Sequence, residues 1–161
     1  MKLGGTVPMD GTDLNGRHPA QVWAEEAARV GYRAVTWPIG PEADRETVRA
    51  YLRAAKERDI LIAEVGAWCN TLDPDEGRRK KNVAHIKECL AAAEEIGANC
   101  CVNIAGARGE FWDGPYADNY SADTYAMIVD SVREIIDAVR PKQTYYTLEP
   151  MPWMLPDSAE S

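Results

Sequence analysis

Short β-like runs alternate with amphipathic helical stretches from one end of this 161-residue chain to the other, an order that restricts it to folds built on a parallel sheet. The runs at 2–7, 34–37, 60–65, 100–104 and 145–148 read as strands, with four helices between them. In the second helix Val48, Leu52 and Ala55 share one face while Arg49, Arg53, Lys56 and Glu57 turn to water. Val83, Ile86, Leu90 and Ala93 repeat the pattern in the third. A weak internal repeat marks two helix ends: Val30-Gly31-Tyr32-Arg33 and Ile96-Gly97-Ala98-Asn99 each lead into a strand, and each glycine suits a left-handed C-cap. Asp44 and Ser121 are expected N-caps, and Pro141 is expected to close the fourth helix.

Two architectures accept this order. A flavodoxin-like open parallel sheet suits the length, whereas a (β/α)8 barrel needs roughly 250 residues. Against the open sheet, the loop after the first strand, residues 8–13, is acidic and unsuited to cradling a phosphate, and no Gly-x-Gly-x-x-Gly follows it. Residues 156–160 resemble an N-cap and first turn of a fifth helix, and a parallel sheet needs both faces covered. The expected architecture is therefore α/β, an incomplete (β/α)8 TIM barrel of about five parallel strands and four intervening helices. Residues 1–161 are expected to form one truncated domain.

Charge narrows the partners. Eighteen lysines and arginines stand against 26 acidic residues, and the longest basic run is the tetrad at 78–81. Nucleic-acid phosphates and anionic membranes would be repelled, which leaves a small neutral or metal-bridged substrate. The first residues lack the apolar core of a signal peptide and no stretch approaches a membrane span, so the expected location is cytoplasmic. The four cysteines, Cys69, Cys89, Cys100 and Cys101, form no Cys-x-x-Cys pair and read as reduced, buried thiols.

Glu149 is the foremost candidate for chemistry. It ends the strand-like run 145–148 and precedes Pro150, the usual place of a metal-binding or proton-transferring carboxylate in an α/β enzyme. Simple alternation puts Ile60, Ile62 and Glu64 on one side of the third strand, and Tyr145, Thr147 and Glu149 on one side of the fifth. Leu61, Ala63, Val65, Tyr146 and Leu148 would then meet the helices, with Glu64, Asn103 and Glu149 pointing inward near the C-terminal rim. An interior carboxylate such as Glu64 can also serve only to bridge to a neighbouring strand. Trp37, Trp68, Trp112 and Trp153 all follow strand ends, where flat indoles can stack on a sugar or simply fill loop packing. Residues 109–114 read as a mobile loop over the site. His18, before Pro19 at the first helix, and His85, on the third helix beside Cys89, lack the partners of a catalytic triad or a zinc motif.

Helix-Gly-Tyr-Arg-Ala-Val at 31–35, Ile96-Gly97-Ala98 before the fourth strand, Ala105-Gly106 after it and Tyr146-Thr147-Leu148-Glu149-Pro150 at the fifth resemble, in that order, the xylose-isomerase-like TIM-barrel superfamily of sugar phosphate isomerases and epimerases. The resemblance covers essentially the whole chain. It implies that Glu149 matches a ligand of a divalent cation, Mn²⁺, Mg²⁺ or Co²⁺, whose other ligands, an Asp, a His and a Glu, come from strands later than this sequence reaches. It further implies proton transfer on the carbon beside a ketose carbonyl, with the Glu149 counterpart a proton carrier in the epimerase branch. A dehydratase or isomerase of inositol-derived ketones would share the same residues. The DNA-repair endonucleases of the superfamily fit less well, because no histidine lies between His18 and His85. The implied partner is a small carbohydrate, with no nucleic acid and no membrane. A non-catalytic barrel fragment that associates with its own copies through its exposed fifth strand is the alternative of another class.

Overall fold

The computed structural model describes residues 1–9 and 14–160. Its elements follow the expected order: β1 (Gly4–Gly5), α1 (Pro19–Arg29), β2 (Ala34–Thr36), α2 (Arg45–Glu57), β3 (Leu61–Gly66), α3 (Glu76–Ile96), β4 (Cys100–Asn103), α4 (Ala122–Val139) and β5 (Tyr145–Leu148). A short 3₁₀ turn, Ala117–Tyr120, precedes α4. All five strands are parallel and lie in the order β1-β2-β3-β4-β5. That order has no reversal. A flavodoxin-like sheet runs 2-1-3-4-5, so the topology is that of a barrel wall.

Capping explains where the helices begin and end. Asp44 accepts the amides of Glu46 and Thr47, Asp75 that of Arg78, and Ser121 that of Thr124. His18 caps α1 through Nδ1, which accepts the Ala20 amide at 3.2 Å ahead of Pro19 at the first helical position. Gly31 and Gly97 take φ of 82° and 71° after α1 and α3, the left-handed region that a side chain would oppose. Arg140 adopts φ of 52° after α4, and Pro141 follows it.

The main core lies between the helices and one face of the sheet. Trp23, Val35, Ile86, Leu90, Cys101 and Ile135 are almost fully buried there. The opposite face retains exposure at Leu61 and Tyr145.

Three expectations are corrected. The first strand shrinks from 2–7 to two glycines, and at Gly4 an added Cβ would stand 2.5 Å from the Ala34 carbonyl oxygen, so the pairing with β2 admits no side chain there. Simple alternation also fails in β3. The pairing with β2 shifts from Val35↔Ile62 to Thr36↔Glu64, so one residue of β3 is skipped. Ile62 therefore joins the helix-side core with Val65 instead of sharing the side of Glu64, and Leu61 is partly exposed instead of facing the helices. Residues 157–159 form bends, not a helical turn. The Ser158 hydroxyl accepts the amide of Glu160 two residues on, a local bond that competes with helix initiation. Residues 10–13 of the acidic loop lie outside the described residues.

Candidate functional site

Register assigns the open face row by row. Thr36, Glu64, Cys100 and Tyr145 are paired in sequence across four strands, and Gly66, Val102 and Thr147 form the next row toward the C-terminal rim. Glu64 is half-buried and accepts the Thr36 hydroxyl at 2.9 Å; Thr36 in turn lies 3.3 Å from the Thr6 hydroxyl. It thus bridges to a neighbouring strand. Glu149 stands four residues beyond Tyr145, roughly 13 Å further along the strand direction than the row of Glu64. The two carboxylates occupy different levels and are not a matched pair.

Glu149 is exposed at the rim. Its amide donates to the Asn103 carbonyl at 2.8 Å, which extends the β4–β5 ladder by one step and fixes the backbone from which the carboxylate projects. Its carboxylate enters none of the ion pairs found among the described residues. Trp68 reaches the same level from β3. It holds φ of 41°, and its indole folds back over Gly66, where an added Cβ would stand 2.0 Å from Nε1. Trp68 is 45% exposed, so one edge of the ring rests on the sheet while the rest meets solvent. Replacing Gly66 with alanine is expected to push the indole off the strand and red-shift its fluorescence; an unchanged emission spectrum would contradict this placement.

Asn103 is also placed differently from expectation. It alternates with Cys101 on the helix side and is fully buried; Oδ1 accepts the Cys69 amide and Nδ2 donates to the Cys69 carbonyl, each at 2.9 Å. Both ends of the amide hold one loop residue. Trp37 is a core residue as well, only 7% exposed and edge-on to Tyr51 at 5.9 Å between ring centroids. A large indole two residues beyond the buried Val35 completes the helix-side core more readily than it turns to the rim. Trp112 and Trp153 remain exposed on the loops after β4 and β5.

Buried amides and hydroxyls that single-sequence reasoning passed over tie these loops together. Asn70 donates to the Ala107 carbonyl at 2.7 Å and Thr71 to the Ala105 carbonyl at 2.8 Å. Gly106, at φ of 93°, leaves no room for a Cβ beside Asn70. Asn119 accepts the Arg108 amide and donates to the carbonyls of Gly114 and Trp153, which joins the β4 loop, including the 109–114 segment, to the β5 loop. No sequence signal marks these roles, since each partner lies on another segment.

The histidines and cysteines make local contacts. His85 Nε2 lies 3.4 Å from the Cys89 sulfur on α3. All four thiols are free, and burial pushes Cys69 and Cys101 up to about 12 and Cys89 to about 11. Ordinary thiols ionise near 9, so between that pH and about 11 the folded state holds protons that the unfolded chain has released. Stability is expected to fall as pH rises above about 9, checked by melting temperature from pH 7 to 10.5; a flat profile would contradict the burial of these groups.

The described residues contain no cluster of three or more His, Cys, Asp or Glu side chains able to hold a metal ion. No helix among them is long and apolar enough to cross a membrane. A groove of about 370 Å³ between helices is bordered by Trp37, Val48, Leu52 and Ile96 and is not on the open face; a second of the same volume lies among the loops after β3 and β4, bordered by Asp73, Arg79, Arg108, Tyr116 and Asp118.

Comparison with known proteins agrees with the topology. No curated protein matches the chain. A Rhodospirillum rubrum structure described as a xylose isomerase superposes with a TM-score of 0.72 at 18% identity, covering 99% of this chain and 58% of that one. The D-psicose 3-epimerase of Clostridium cellulolyticum H10, solved with D-tagatose, gives 0.64 at 16% identity, with 93% and 52% covered. A Mycobacterium smegmatis xylose isomerase-like TIM barrel protein, solved in complex with magnesium, gives 0.61 at 15% identity, with 92% and 54% covered. The chain spans between half and three-fifths of the length of these structures. A family model described as the xylose isomerase-like TIM barrel matches residues 24–160, and with that match over most of its length the chain belongs to the xylose isomerase-like TIM barrel family.

Proposed function

We propose that the protein carrying this chain is a sugar isomerase or epimerase that moves a proton on the carbon next to a ketose carbonyl. The observation that carries this reading is the exposed carboxylate of Glu149, which enters no ion pair among the described residues and is held by the ladder at the C-terminal end of β5. In barrels of this kind the C-terminal face carries the active site. Glu149 serves as the proton carrier. Trp68, on the open face at the same level, offers an indole surface against the C–H side of a sugar. Glu64 keeps its strand-bridging role and shapes the interior below.

A divalent cation would polarise the carbonyl and stabilise the enediolate charge. One carboxylate does not make a site for Mn²⁺ or Mg²⁺, which take about six oxygen ligands, so the described residues do not hold such an ion by themselves. Glu149 is the donor this chain has to offer. The test is a panel of aldoses and ketoses incubated with the protein, with Mn²⁺, Mg²⁺ or Co²⁺ added, and followed by NMR. Interconversion of a ketose with its epimer or aldose is expected; loss of water from the substrate instead would assign a dehydratase, and no reaction across the panel would count against the proposal.

A further inference from the structure

The rim carries a second feature that proton transfer does not require. Five aromatic side chains stand exposed on the segments between β4 and α4 and after β5: Phe111, Trp112, Tyr116, Tyr120 and Trp153. Phe111, the sole phenylalanine of the chain, is 70% exposed. Apolar surface gathered in this way on loops marks a contact site.

The patch is held in place. Fully buried Asn119 accepts the Arg108 amide at 3.1 Å and donates to the carbonyls of Gly114 at 3.1 Å and Trp153 at 2.8 Å, bracketing Trp112 and Trp153. The Tyr120 hydroxyl donates to the Pro152 carbonyl at 3.0 Å, and the Tyr116 ring covers Gly109 so closely that a Cβ there would lie 2.8 Å from it. Loops fixed in this way lose little entropy on binding a ligand.

Charge selects the ligand. No lysine, arginine or histidine occurs between 109 and 132 or between 143 and 160, whereas Glu110, Asp113, Asp118, Asp123, Asp130, Glu149, Asp157 and Glu160 all fall there. The arginines nearest these rings, Arg79 and Arg108, border Tyr116 beside Asp73, Glu76 and Asp118, and the balance stays acidic, which disfavours phosphate and nucleic acid. Such a surface suits a neutral carbohydrate, whose C–H faces stack on flat rings while its hydroxyls donate to carboxylates. Trp153 lies four residues from Glu149, within roughly 14 Å along the chain.

We propose that the aromatic rim is a subsite for a second sugar unit, so that the preferred substrate is a neutral glycoside and not a phosphorylated monosaccharide. This rests on the sugar-directed reading of Glu149 for the position of the reacting unit. Tryptophan fluorescence titration with cellobiose, glucose and glucose 6-phosphate tests it, because Trp23 and Trp37 are buried and the exposed indoles respond. Cellobiose is expected to bind at least tenfold more tightly than glucose, and glucose 6-phosphate no more tightly than glucose. Trp112→Ala or Trp153→Ala should each abolish most of the cellobiose preference, and the phenylalanine variants should retain it. Glu149→Gln should keep the preference while losing turnover, which separates failure of this subsite from failure of the proposed reaction. Equal affinities for cellobiose and glucose, tighter binding of the phosphate, or a preference untouched by both alanine variants would overturn the subsite. A concentration-dependent dimer that buries these rings would also overturn it and assign the patch to a second copy.

Discussion

Glu149→Gln in the protein carrying this chain is expected to lower turnover by about 10³-fold, the scale of a general acid–base group removed without loss of shape. Unfolding free energy should stay within about 0.5 kcal/mol of the parent, since surface substitutions without buried partners change stability little. The exposed carboxylate enters no ion pair among the described residues, and the amide that anchors it to Asn103 is unaffected by the change. Steady-state rates measured beside urea unfolding separate the catalytic loss from a folding defect. A fully active variant would remove Glu149 from the chemistry.

The second large effect is on stability. Asn103→Ala is expected to cost about 3 kcal/mol, because it deletes two hydrogen bonds and strands the amide and carbonyl of Cys69 beside a buried gap. Urea unfolding of parent and variant measures it. A side chain that contacts substrate instead would raise KM and leave the unfolding midpoint unchanged, so the same pair of measurements decides which role Asn103 plays. The outcome matters for the site. Cys69 adjoins Trp68, and releasing its backbone would also free the indole that lies over Gly66.

The fold was legible in the sequence wherever a signal was local. Helix faces, the Asp44 and Ser121 caps and the Gly31 and Gly97 stops each depend on residues within a turn or two of one another, and the structure places them as expected. Five parallel strands follow from the alternation of those helices with apolar runs. Local pattern failed where another strand intervened. The register shift opposite Val35 and Thr36 moved Ile62 to the core, and neither residue type announces a bulge. Asn103 looked like a site residue for its position at a strand end, yet its partner is a backbone 34 residues away, as are the partners that give Asn119 its role in the β5 loop. Trp37 and Trp68 both follow strand ends; one packs against Tyr51 and the other rests on a glycine, a difference set by what lies beneath each ring. The position of Glu149 at the end of β5 is legible from the strand pattern, and the structure leaves it exposed there.

Exchange of solvent deuterium into substrate tests the proton-carrier role most directly. A ketose incubated with the protein in D₂O is expected to lose its NMR signal at the carbon beside the carbonyl, while the folded Glu149→Gln variant leaves that hydrogen in place. Exchange in the variant at the parental rate would contradict the account.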